Sequence, residues 1–266
     1  MRRITTDLGP NYQADDVRLA WRLLTRPAQW VVGNAVAKLE GQARQWLPAR
    51  HAVAFGSGRT ALWAALSALE LQPTDEVLLQ AFTCVAVPAA VLWAHARPVY
   101  VDVTPGTYNI DPRDLESKIT GRSRAVIVQH TFGYPAPLGS ILPLAARHGL
   151  TVVEDCAHAL GSSYQGHRLG TFGDLAVFSF GRDKSISCVF GGMVTTNRPD
   201  VAQRVEQFRA QQTALPPARW VGKQLLHPFL TQTARKTLGL GGFGQAWLKL
   251  AKAAGLITLA VEADEH

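Results

Sequence analysis

Acidic residues are missing from a long stretch after Glu206. From Gln207 to Val261 there is no aspartate or glutamate, while Arg209, Arg219, Lys223, Arg235, Lys236, Lys249 and Lys252 are present. The stretch contributes heavily to a formal net charge of +7. A basic, Leu- and Trp-containing tail of this kind suits an anionic membrane surface, a nucleic acid, an acidic partner, or simply a solvated helical face or a surface waiting for missing protein. Cysteine is scarce as well: Cys84, Cys156 and Cys188 are scattered, odd in number and form no CxxC pair. Neither a disulfide framework nor a zinc site is expected, no other metal is indicated, and a reducing compartment fits. Long apolar runs are also missing. No segment reaches the ~18 apolar residues of a membrane span, and MRRITTDLGPNYQADD at the N-terminus lacks the apolar core of a secretory signal. A cytoplasmic location is expected. With 266 residues and 47% hydrophobic content the chain can bury a substantial core, which excludes a disordered polypeptide.

From His51 to about Asp200, short apolar runs alternate with segments of helical period. This is the pattern of βαβ units around a mainly parallel sheet, so the fold class expected is α/β with flanking helices. HAVAF (51–55), EVLLQ (76–80), RPVYVD (97–102), RAVIVQ (124–129), LTVVED (150–155), LAVFSF (175–180) and MVTTN (193–197) read as strands. Most are near-continuously apolar, as strands buried on both faces are. Helices are expected over Arg59 to Leu71, Val85 to Ala94, Asp111 to Ile119, Leu138 to His148 and Val201 to Gln212, with Gly191-Gly192 as a turn. Residues 1–50 read as a mostly helical segment with Trp21, Trp30 and Trp46 available to pack on the sheet. Residues 201–266 read as the basic tail, broken at Pro216-Pro217 and continuing as short helical stretches around GLGGFG (239–244).

Two groups stand out at strand ends. Asp155 closes LTVVED, the carboxyl end of a parallel strand where open α/β sheets bind ligands. Lys184 follows LAVFSF, where partial burial of its amine would make it nucleophilic near neutral pH. Pyridoxal phosphate needs such a pair: an amine to hold its aldehyde as a Schiff base and a carboxylate to keep its ring nitrogen protonated. GSGRTAL (56–62) follows a strand and opens a helix, so its backbone amides form a candidate phosphate cradle. It matches neither GxxxxGK[ST] nor GxGxxG, which argues against a nucleotide loop.

In this order the segments SGRTAL, AFTCVAV (81–87), PVYVDVTPGTYNID (98–111), VQHTFGYPAPL (128–138) and VVEDCAHALGSSYQGHRLGTFGDLAVFSF with Lys184 and GGMVTTN resemble the DegT/DnrJ/EryC1/StrS family, pyridoxal-phosphate sugar aminotransferases of fold type I. The resemblance implies that Lys184 carries the cofactor aldehyde and acts as general base, with Asp155 the partner of the ring nitrogen. It further implies that His158 lies near the ring hydroxyl, that Phe82 stacks on the ring, and that Gly58, Arg59 and Ser179 hold the phosphate. Arg59 departs from the small hydroxyl residue commoner at its position. Asp102, Asn109 and His130 match positions expected to hold loops beside the pocket. The implied partners are an amino-acid donor, glutamate, and a nucleotide-linked keto sugar. A homodimer is implied, and no nucleic acid. Members that dehydrate instead have histidine in place of the lysine; Lys184 argues against that branch.

Members of the family continue into a smaller C-terminal domain that helps to close the pocket, and the basic tail stands where that domain is expected. The fold expectation is therefore a large domain with the small domain largely missing: 1–50 helical and packed on the core, 51–200 cofactor-binding, 201–266 an altered or truncated C-terminal region. Cofactor binding is the safer expectation than turnover. The alternative expectation is a catalytically incompetent cofactor-binding or regulatory member that uses the basic tail to meet a partner or membrane surface.

Overall fold

The structure is a computed structural model and describes residues 11–31, 33–237 and 239–258. The outer parts of the expected N-terminal and C-terminal segments, 1–10 and 259–266, lie outside the described residues. Helices α1 (Ala14–Leu24) and α2 (Ala35–Trp46) precede β1 (His51–Phe55), α3 (Gly58–Ser67), β2 (Glu76–Gln80), α4 (Ala86–Trp93) and β3 (Arg97–Val101). Then come α5 (Pro112–Lys118), β4 (Ser123–Gln129), α6 (Leu138–His148) and β5 (Thr151–Asp155). A short hairpin of β6 (Ser163–Tyr164) and β7 (His167–Arg168) leads to β8 (Leu175–Ser179) and β9 (Gly192–Thr196). Helices α7 (Pro199–Gln212), α8 (Ala218–Thr237) and α9 (Phe243–Ala253) complete the described chain.

The main sheet has seven strands in the order β1-β9-β8-β5-β4-β2-β3. All pairs are parallel except those of β9, which runs antiparallel to both β8 and β1. The mainly parallel α/β class expected above is the fold observed. Side-chain alternation explains why these strands read as unbroken apolar runs. In β4, Val126 and Val128 enter the core on one face of the sheet while Ala125 and Ile127 enter the core on the other. In β8, Ala176 and Phe178 face the first core and Leu175 and Val177 the second.

The same alternation separates two adjacent carboxylates at the end of β5. Glu154 turns beneath the sheet and is fully buried. Its Oε2 accepts from His130 Nε2 at 3.0 Å and from the Gly170 amide at 2.9 Å, and its Oε1 accepts from the amides of Phe172 and Gly173, each at 2.7 Å. The Ala136 amide donates to His130 Nδ1 at 3.1 Å, so that nitrogen is unprotonated and Nε2 carries the proton given to Glu154. Asn109 is likewise an internal brace. Its Nδ2 donates to the carbonyls of Tyr134 and Pro135, and its Oδ1 accepts from the Thr131 amide.

Three elements differ from the sequence reading. Trp21 and Trp30 pack on α8 rather than on the sheet: the Trp21 ring lies 6.0 Å from that of Phe229, and Trp30 fills the space where a Cβ on Gly222 would sit. Trp46 lies under the guanidinium of Arg168, 4.0 Å away. The region after Pro217 is one helix of 20 residues and a second of 11, not a string of short ones. Gly192 belongs to β9, and β8 and β9 are joined by the whole segment 180–191, which carries Lys184.

Candidate cofactor site

The carboxyl ends of β5 and β8 and the start of α3 converge. Ser57 caps α3: its extended backbone lets Oγ accept from the Thr60 amide at 3.0 Å, a contact contributing ~1 kcal/mol to helix stability. The first-turn amides, including those of Gly58 and Arg59, have no acceptor within the helix and suit an anion. Gly58 sits against Ser179 so closely that a Cβ there would stand 2.7 Å from Ser179 Cβ and 2.8 Å from its Oγ. Gly192 is as crowded from the other side, where a Cβ would lie 2.3 Å from the Ser57 carbonyl oxygen. Side-chain-free backbone at both points brings the helix start, the Ser179 hydroxyl and β9 together.

Asp155 is buried at the end of β5. Among the described residues its carboxylate has one hydrogen bond, from the Ala157 amide to Oδ1 at 3.0 Å. Burial raises its pKa; the Ala157 amide and the nearby His158, His130 and Lys184 oppose the rise. Lys184 Nζ lies 2.9 Å from His158 Nε2 and 3.2 Å from Asp183 Oδ2. Burial and the Lys184 charge lower the pKa of His158, which makes the neutral ring the acceptor of the lysine proton. Thus Asp155, His158 and Lys184 form one electrostatic group, and Gly58 and Ser179 form an adjoining cradle.

Phe82 forms part of an open aromatic wall. Its ring lies 5.1 Å from that of Tyr108 and 6.2 Å from that of Phe132, and Phe132 stacks on His158 at 5.9 Å with an 18° interplanar angle. No pattern in the sequence marks Phe132 as a residue of this wall. It is 72% exposed and sits at φ 53°, left-handed backbone that L side chains seldom adopt. An exposed aromatic held at such a φ is a conformation that no sequence pattern announces. Asn11 and Tyr12 are likewise unmarked by any sequence pattern, lying far from the lysine loop along the chain. Asn11 Nδ2 donates to the Lys184 carbonyl at 2.7 Å, and Tyr12 accepts a 3.3 Å hydrogen bond from Ser187 in the lysine loop.

A carboxylate buried with no cationic hydrogen-bond partner among the described residues, an amine in the same electrostatic group, an aromatic wall and a crowded helix start together make a candidate ligand site at the carboxyl ends of an α/β sheet. The chain belongs to the DegT/DnrJ/EryC1/StrS aminotransferase family, which it matches over residues 13–225. It is 39% identical over 184 residues to the GDP-perosamine synthase of Caulobacter vibrioides, covering 68% of this chain and 50% of that protein. It is 37% identical over 185 residues to the pleiotropic regulatory protein of Geobacillus stearothermophilus, covering 69% of this chain and 50% of that one. The aminotransferase from Psychrobacter cryohalolentis superposes with a TM-score of 0.71 at 27% identity, over 86% of this chain and 63% of that one. The chain thus spans about half the length of the curated relatives it matches.

Proposed function

We propose that this chain is the cofactor-binding part of a pyridoxal-phosphate-dependent aminotransferase. It would transfer an amino group from an amino acid, glutamate in this reading, to a nucleotide-linked keto sugar used in polysaccharide or secondary-metabolite synthesis. The observation that carries the reading is the meeting of Lys184, His158 and Asp155 beside the Gly58–Ser179 cradle. In the same reading residues 51–200 bind the cofactor, 1–50 and 201–266 flank them, and the protein works in the cytoplasm as a homodimer.

Pyridoxal phosphate, when bound, supplies a carbonyl for exchange between amines and a cationic ring that accepts electrons. Lys184 would be the amine that holds that carbonyl, and once released it would take the α-proton of the amino-acid donor. Asp155 would hold the proton on the ring nitrogen; the cost of its burial falls once a cation stands opposite it. His158, neutral and accepting, orients the amine. Phe82 would cover the ring, a contact adding ~0.5–1.5 kcal/mol beyond burial. Ser179 and the backbone amides of Gly58 and Arg59 would take the phosphate.

The test mixes purified protein with pyridoxal phosphate, reduces with borohydride and maps the adduct by mass spectrometry. A single adduct on Lys184, lost when glutamate is added before the reduction and replaced by the aminated cofactor, is the expected result. An adduct on any other lysine overturns the site. A Lys184 adduct that forms undiminished when glutamate is added before the reduction overturns the aminotransferase reading. It would support a binding or regulatory role, a second reading favoured by the likeness to the pleiotropic regulatory protein.

A further inference from the structure

We propose that the C-terminal helical region docks on an anionic lipid bilayer through the outer face of α9. This helix has two apolar faces. One is used within the protein: Gly244 and Ala251 are buried, Leu248 is half-buried, and Trp247 donates from Nε1 to the Leu230 carbonyl at 3.1 Å. The second is formed by Phe243, Ala246, Leu250 and Ala253, spaced i, i+3, i+7 and i+10, and all four are exposed. Residues at that spacing share one side of a helix. Phe243 is 55% exposed and Leu250 65%, and Leu240, also 65% exposed, stands just before the helix. An exposed apolar stripe with Phe243 and Leu250 as its large side chains, and Leu240 just before it, marks an interaction surface.

The charge around the stripe selects its partner. Gln245, Lys249 and Lys252 lie between the two apolar faces, and both lysines are exposed without an ion pair among the described residues. Arg235 and Lys236 are exposed in the last turn of α8, immediately before. No acidic residue occurs from Gln207 to Val261; Glu262, Asp264 and Glu265 follow, outside the described residues. A second copy meeting this face would bring cation against cation. A nucleic acid would use the lysines and leave the leucines and phenylalanine in water. An anionic bilayer uses both, taking the apolar stripe at the headgroup boundary and the cations at its surface. No described helix is long and apolar enough to cross a membrane, so the contact would lie along the surface. The inference does not depend on the aminotransferase reading.

The experiment sediments the full chain with phosphatidylcholine vesicles and with 7:3 phosphatidylcholine:phosphatidylglycerol vesicles. Binding at least about tenfold tighter to the anionic vesicles, weakened by added salt, is expected. Leu250→Glu should abolish it with an unchanged thermal midpoint, and Lys249→Gln should weaken it about fivefold. Equal binding to both vesicle types, or no binding to either, overturns the proposal. So does binding untouched by Leu250→Glu, or self-association that this substitution removes, since that identifies a second copy as the occupant.

Discussion

Lys184 Nζ stands 2.9 Å from Nε2 of His158, whose pKa burial and the lysine charge lower together. The ring therefore receives the lysine proton and sets the direction of the amine. Losing a hydrogen bond to a charged group costs about 1.5–3 kcal/mol. His158→Leu is expected to weaken pyridoxal phosphate binding roughly 10–100-fold in an absorbance titration, with His158→Gln partly restoring it. Lys184→Ala should leave no borohydride-stable adduct.

Glu154 and Asp155 are neighbours with opposite expected outcomes. Glu154 is buried and accepts four hydrogen bonds. Its removal leaves His130 and three amides unpaired, so Glu154→Ala should cost about 3–5 kcal/mol in urea unfolding. The pKa of Asp155 is raised by burial, so this group favours folding below the unfolded carboxylate pKa of about 3.9 and penalises it as pH rises through the folded value. Asp155→Asn is expected to raise the thermal midpoint of the cofactor-free protein at pH 7, to leave it little changed at pH 3, and to weaken cofactor binding. A lower midpoint at pH 7 would contradict the account.

A Cβ on Gly58 would overlap Ser179, whose Cβ would be 2.7 Å away. Gly58→Ala should destabilise by about 1–3 kcal/mol and remove the phosphate cradle. Gly58→Ala with Ser179→Gly should regain thermal stability but not affinity for pyridoxal phosphate. That separation distinguishes crowding from phosphate contact.

His227 of α8 faces Tyr12, with Nδ1 3.3 Å from the hydroxyl. Burial first, then the Arg182 charge, lowers its pKa to about 4. Its folded value lies below the unfolded ~6.5, so the stability it contributes is present above pH 6.5 and is lost as pH falls toward about 4. The loss should be on the order of 3 kcal/mol over that window. His227→Asn should flatten the slope, as measured by denaturant unfolding between pH 7 and 4. The lysine loop rests on the same contact through Ser187 and Tyr12.

The central sheet was legible because its strands are buried on both faces, which demands unbroken apolar runs such as HAVAF and EVLLQ. The β6–β7 hairpin was not. Its strands are two residues each, too short for a period, and its turn shows only as Gln165-Gly166, both at positive φ. Helix α8 was obscured by Pro228, which suggests a break; the helix runs through it, with Pro228 buried and the Thr231 hydroxyl donating back to the His227 carbonyl at 2.9 Å.

By itself the sequence determined the order of strands and helices, the position of Asp155 at a strand end and of Lys184 shortly after another strand, and the glycine at 58, because local periodicity and residue type carry that information. Only the tertiary structure decided which carboxylate of the Glu154-Asp155 pair is committed to internal hydrogen bonds and which faces the lysine. It also brought Phe132, Asn11 and Tyr12 to the site. The physical reason is that burial, hydrogen-bond partners and pKa depend on what packs around a side chain, and those neighbours come from distant parts of the chain.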